Sequence, residues 1–216
     1  MSSNYEYIIA GLPVLVLNSE GKDLSIQEIK DNIYNLCSDK DKRLIDWLYF
    51  GNKEDNLSHV FYKSAIKKSN QFISSYFLTD LTIRNKKVSY LAAKNKKLTA
   101  GKENDESKRI ERYTITLTSQ NNSEVDIDSD NKLSTILEIQ NIIERENALD
   151  KFRWEKINDS IIHDYFNINV ILAFLAKLQL VERWSKMDKT IGTEMFKKLV
   201  NEVRGTYKGI DENLIK

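Results

Sequence analysis

The stretch "DYFNINVILAFLAKLQLVERW", residues 164–184, is the least polar in the chain, with no charge between Asp164 and Lys177. Crossing a bilayer as a helix takes roughly 20 predominantly apolar residues. The uncharged run from Tyr165 to Ala176 has 12, and Lys177, Glu182 and Arg183 follow on the same helix. The stretch therefore reads as a core helix or a docking surface rather than a membrane span. Ile168, Val170, Ile171, Leu172, Phe174 and Leu175 fall on almost every side of that helix. A surface helix buries one stripe, so this pattern asks for partners on several sides. Ile171, Leu172, Phe174 and Leu175 are expected in the core, against helices around 157–162 and 195–203.

The rest of the chain has few turn signals. Among 216 residues there are seven Gly and one Pro, Pro13. So little punctuation disfavours an all-β sandwich. Helical patterns recur instead. Ser25 and Glu28 in "SIQE" match a capping box, with Ile26, Ile29, Ile33 and Leu36 following at helical steps. "SDKD", residues 38–41, is a second start signal. Leu57, Val60, Phe61 and Ala65 share one side of a short helix. Ile73, Phe77, Leu81, Val88 and Leu91 form a stripe along residues 70–96, a helix about 40 Å long. Near the C-terminus, Met195, Phe196, Leu199, Val200 and Val203 make another amphipathic stripe.

Residues 98–131 fit this scheme least. "TAGKENDESK" reads as a loop, "RYTITLTSQ" alternates like a strand or hairpin arm near 112–118, and "NNSEVDIDSDN" reads as an acidic turn. The expected architecture is all-α and two-lobed: an N-terminal helical lobe over 1–97, a polar junction over 98–131 and a C-terminal helical lobe over 132–216.

Composition narrows the function classes. Apolar residues make up 41% and charged residues 30%, and 33 Lys plus Arg against 32 Asp plus Glu give a net charge of +1. A generic nucleic-acid binder shows a larger basic excess. One cysteine, Cys37, forbids an intrachain disulfide and fits a reducing compartment. The first 21 residues lack the basic n-region of a signal peptide, so a cytoplasmic protein is expected.

Sites for chemistry are sparse. His59 and His163 with a single cysteine give no zinc spacing. Gly101–Lys102 lacks the first glycine and the Ser or Thr of a phosphate-binding loop. "DIDSDN", Asp126–Asn131, resembles the opening of a calcium loop but lacks the following Gly, and Leu137 stands where the Glu belongs. No cofactor and no catalytic residue is expected, and an enzyme is the least supported class.

Charge is more informative. "RNKKVSYLAAKNKKLTAGK", residues 84–102, has seven Lys or Arg and no acid. It could bind RNA, anionic lipid or an acidic protein surface, or be the solvated face of a long helix. Residues 120–150 hold eight acids and two bases, so an internal match is open as well. Arg84 falls on the apolar stripe, where a guanidinium needs a partner. Asp80, four residues earlier, is the first candidate. Trp154 sits among charges in "RWEK". Together Arg84, Lys86, Lys87, Lys94, Arg153, Trp154 and Trp184 form the candidate interface set.

Four motifs occur in order in the C-terminal part: "LDKFRW", "DYFNI", "KLQLVERW" and "MDKTIGTEMFKKLV". With "YEYIIAGLPVLVL" and "LTDLTIRNKKVSYLAAKNKK", they resemble an uncharacterised family of Bacteroidetes and related bacteria encoded in V-type ATPase operons. The chain also resembles, in shortened form, the helical subunit that sits on the rotor ring of V/A-type ATPases, designated C in archaeal complexes and d in eukaryotic ones. That subunit is longer and three-lobed. The resemblance implies a non-catalytic subunit that couples the central stalk to the membrane rotor ring. Its partners would be other ATPase subunits, and it would sit on the cytoplasmic side, peripheral to the inner membrane and with no specific nucleic acid. The competing readings are an assembly factor for the same ATPase and an RNA- or anion-binding helical module using residues 84–102.

Overall fold

The computed structural model describes residues 5–17, 25–98, 115 and 127–186, with side chains placed through 94 and from 130 onward in the two helices flanking the gap. Every regular element among them is helical. In chain order they are α1 (Tyr5–Ala10), α2 (Ile26–Leu36), α3 (Asp39–Gly51), a 3-10 turn (Glu54–Asn56), α4 (His59–Ile66), α5 (Gln71–Leu98), α6 (Ile127–Leu137), α7 (Ile142–Ser160) and α8 (Ile168–Lys186).

Short polar residues start most of these helices by accepting otherwise orphaned backbone N–H groups. The Ser38 hydroxyl accepts from Asp41 N at 3.3 Å, and Ser58 from Phe61 N at 3.2 Å. Asn70 Oδ1 accepts from Ile73 N at 2.9 Å. Asn141 Oδ1 takes the N–H groups of both Ile143 and Glu144. At α2 the expected capping box does not form: Ser25 is at the N-cap, but its side chain makes no cap bond.

The opening stretch is the axis of the fold. Residues 171–176 of α8 are buried without a break, and Leu178, Leu180 and Val181 continue the burial. Ile171, Leu172 and Leu175 have no exposed surface, and Phe174 is 8% exposed. Around α8 pack α1, α2, α3, α5 and α7. The core placement therefore holds, but most of the partners come from the N-terminal half. Of the expected neighbours over 157–162, Ile157 is buried in this core and Ile161 packs against it, and residues 195–203 lie outside the described part. Among the described residues no helix is long and apolar enough to cross a membrane.

Two clusters of buried apolar side chains result. The larger joins Ile8, Ile33, Ile45, Leu48, Phe61, Phe77 and Leu81 to Ile157 and the α8 residues. The smaller holds Ile83, Leu133, Ile136, Leu137, Leu149 and Phe152. These clusters cut across the bounds drawn at 1–97 and 132–216, because α8 inserts among the N-terminal helices while the end of α5 packs with α6 and α7. Helix α5 serves both. Ile73, Phe77 and Leu81 face the larger cluster, whereas Ile83 and Tyr90 face the smaller. Leu91, at the end of the expected single stripe, is half exposed. Val60 is likewise solvent-facing rather than core.

One glycine is fixed by close approach. A Cβ on Gly51 would fall 2.3 Å from Phe77 Cζ and 2.4 Å from Phe61 Cζ. The end of α3 thus rests its backbone directly on the two rings.

Residues 98–131 are mostly outside the described part, including the alternating segment near 112–118 apart from Ile115. Ile115 is not in a strand. It packs on the larger core and exchanges two hydrogen bonds with the Asn85 side chain, at 2.9 and 3.1 Å. The acidic turn expected over 126–131 is instead helical from Ile127 onward. The helix buries Leu133, Ile136 and Leu137 against α5 and α7, and near its start Lys86 on α5 donates to both carboxylate oxygens of Asp130 at 2.7 Å.

Candidate functional site

Where α5, α7 and α8 meet, charged side chains form a connected network centred on Asp150. Asp150 has no exposed surface. One of its oxygens accepts from Arg153 at 3.1 Å. The other accepts from Arg183 and from the Trp184 indole N–H, the latter at 2.8 Å. A buried carboxylate is tolerated when its lone pairs are filled in this way. Asp150 and Arg153 lie three apart on α7, so they are neighbours on one helix face, Asp150 reaching α8 and Arg153 reaching α5.

The network extends in two directions. Arg153 also reaches Asp80 of α5 at 3.5 Å, and Asp80 accepts from the Tyr62 hydroxyl at 2.7 Å. Burial opposes the Arg153 charge, but Asp80 and Asp150 more than compensate and hold it protonated. Burial first, then Asp80, pushes the Tyr62 hydroxyl well above its ordinary value, while Arg84 at the same hydroxyl works the other way. On the other side Glu146, one turn before Asp150, accepts from Lys87 at 2.7 Å and lies 4.0 Å from Arg183. Burial works against the Glu146 charge, yet the Lys87 hydrogen bond and the charges of Lys87, Arg183 and Arg153 outweigh it and lower its pKa.

The seven candidate interface residues are therefore mostly engaged inside the molecule. Arg84 is half-buried, and its expected pairing with Asp80 is corrected: it meets Asp80 through the Tyr62 hydroxyl, while the direct ion pair of Asp80 is with Arg153. Lys86 and Lys87 hold Asp130 and Glu146. Arg153 and Trp184 hold Asp150. Trp154 packs on the larger core under the Lys177 ammonium, 5.3 Å from its ring. Of the seven, Lys94 alone is exposed. The internal match between basic 84–102 and acidic 120–150 is real at Lys86–Asp130 and Lys87–Glu146.

The open surfaces are elsewhere. The turn between α7 and α8 exposes Ile162, Tyr165 and Phe166 at 68, 74 and 60%. A small cavity of about 40 Å³ lies beside Arg153, between Tyr76, Thr79, Asp80 and Ser160. That is room for a water or two rather than a substrate. Among the described residues no group of three or more His, Cys, Asp or Glu is placed to hold a metal. Asp126 and Asp128, the calcium-loop residues, lie outside the side chains described. Cys37 is buried, and burial first, then Asp41, pushes its thiol up to about 11. A thiol held neutral is a poor nucleophile.

Residues 51–206 match the family described as "Protein of unknown function (DUF2764)". The chain belongs to that family. No curated protein and no solved structure matches it. The DUF2764 segment begins at the last residue of α3 and takes in the whole network from Tyr62 to Trp184. Helices α1 and α2, and almost all of α3, precede it, although they pack against α8 within it.

Asp150 is not among the residues that sequence patterns single out. Its signal was nonetheless present: Glu146, Asp150 and Arg153 recur at steps of four and three on α7, and "VERW" supplies Arg183 and Trp184 together. What spacing does not reveal is the crossing of α7 and α8 that brings them into contact.

Proposed function

We propose that the chain is a non-catalytic component of a V-type ATPase, coupling the central stalk to the membrane rotor ring as a shortened relative of the C or d component of such complexes. The observation that carries the reading is the placement of the family-like motifs. "LDKFRW" lies on α7, "DYFNI" spans the following turn, and "KLQLVERW" lies on α8. Asp150 and Arg153 of the first motif and Arg183 of the third bind one another, and the turn between the helices presents Ile162, Tyr165 and Phe166 to solvent. A rigid, internally cross-linked helical body with an apolar tip suits transmission of force between protein surfaces. The polyanion-binding alternative loses support from the same geometry, since Lys86 and Lys87 are already neutralised.

The role is tested in membranes from a strain lacking the chain. Coupling predicts that the hydrolytic head retains ATPase activity but no longer drives ion uptake into vesicles. Unchanged ion uptake would contradict the role. An assembly factor, the competing reading, would lower the amount of complex while leaving the complexes that remain fully coupled.

A further inference from the structure

The surface around Trp47 is an aromatic hollow on the α3–α4 side of the molecule, touching the charged network only where Phe61 meets the Tyr62 ring. Trp47 stacks on Phe61 with ring centroids 5.5 Å apart, and Phe61 meets Phe77 edge-on at 4.9 Å. The indole is thus held from behind by the core, so it enters a contact with little rotamer freedom left to lose. In front of it lies a hollow of about 480 Å³ between α3 and α4. Its floor is Trp47, Phe50, Val60 and Phe61, with a polar rim that includes Asn56 and Ser58. Phe50 is 51% exposed and Val60 71%. An aromatic anchor ringed by polar groups is the usual form of an energetic centre in a protein interface.

Charge says what fits there. A second groove shares Trp47 and Asp46 with the hollow and carries Lys40, Arg43 and Lys68 along the start of α3 and the α4–α5 turn. The Lys68 ammonium lies 4.1 Å over the Trp47 ring. The ion pairs of the described residues involve none of these three cations. Two acids line the same groove: Asp41, buried and bound to the Ser38 and Tyr5 hydroxyls, and the exposed Asp46, which accepts from Tyr34, so three cations stand against two carboxylates. An apolar hollow beside an edge with a net basic excess, two of its cations exposed at the start of α3, complements one kind of ligand. We propose that it docks a helical segment of another protein with an apolar stripe and an acidic edge. The stripe would lie over Trp47, Phe50 and Val60 as helix-in-groove recognition requires, and the acids would meet Lys40, Arg43 and Lys68. This holds whichever complex the chain serves.

The test is calorimetric titration of the full chain with a synthetic helical peptide carrying Leu at i, i+3, i+4 and i+7 and Glu along one edge. The control is the same peptide with Glu replaced by Lys. Val60→Glu alters only the hollow, and Lys40→Glu with Arg43→Glu only the basic edge. All three side chains are exposed, so the variants keep the fold, with circular dichroism as the check. Saturable binding of the acidic peptide is expected, weakened roughly tenfold or more by either variant. Its salt dependence should be lost in the double charge variant. Absent binding, equal binding of the lysine peptide, or unchanged affinity in either variant overturns the proposal. So does a concentration-dependent dimer in sedimentation that Val60→Glu dissolves, because a second copy would then be the occupant.

Discussion

Trp184 donates its indole N–H to the buried carboxylate of Asp150 at 2.8 Å, across 34 residues of sequence. The same carboxylate receives Arg153 and Arg183, so one acid on α7 fastens α8 at its C-terminal end. Removing it would leave the Trp184 indole N–H without its acceptor, the buried Arg153 with Asp80 alone and Arg183 with the more distant Glu146. Asp150→Ala is expected to cost about 3–5 kcal/mol, the range for breaking a buried ion pair on one side. Urea unfolding would measure it. A loss below about 1 kcal/mol would mean that water replaces the carboxylate without penalty.

On a solvated basic face, the paired reversal of Lys86 and Lys87 would be a pure surface change. The structure alters that expectation, because each glutamate would confront an acid. Both pairs are partly exposed and screened, so the effect is modest, on the order of 1 kcal/mol per pair. Lys86→Glu with Lys87→Glu should lower stability, and adding Asp130→Lys with Glu146→Lys should restore much of it. A reversal that leaves the denaturation midpoint unchanged would show the contacts to be idle.

Phe174→Ala removes a ring that is 8% exposed from the helix at the centre of the larger core. The expected loss is about 3–5 kcal/mol of folding stability. If the variant folds with wild-type stability and fails only in assembly, residues 164–184 are a partner surface rather than the core.

Acid should loosen the same framework. Burial raises the pKa of Glu146 and of Glu182, but hydrogen bonds and charges from lysine and arginine neighbours leave both lowered overall. For Glu182 those neighbours are Lys186 and Lys30. A carboxylate with a lowered folded pKa contributes stability above its unfolded pKa, about 4.3 for glutamate. That contribution fades as pH falls through the folded value. Thermal unfolding temperatures from these two groups should therefore be level above about pH 5 and decline below about pH 4. Replacing both residues by Gln should flatten the decline, and an unchanged acid limb would count against the assignment.

Much of the fold is legible in the sequence because it rests on local spacing. The Ser38 start, the long α5 and the all-round burial of α8 follow from residues a few positions apart. What is not legible depends on which helices cross. Ile83 lies off the stripe through Ile73, Phe77 and Leu81, yet it is fully buried because α6 and α7 cover a different face of α5. Asp130 sits in a segment that reads as a turn, yet it lies on a helix whose Leu133, Ile136 and Leu137 are buried and whose start pairs with Lys86, 44 residues earlier. Arg84 stands out by its place on the stripe, but Asp80 is claimed by Arg153 from another helix. Trp47 gives no sign of an open hollow, since its exposure is decided by where α4 ends up.

Affinity purification of the chain from its native host, with every retained protein identified and counted, tests the ATPase reading most directly. The intact V-type ATPase should be recovered, including stalk and rotor-ring subunits, with this chain at a fixed ratio in the mature, active complex. Recovery of the chain without ATPase subunits would contradict the reading, and so would recovery only with immature subcomplexes and none in the active enzyme.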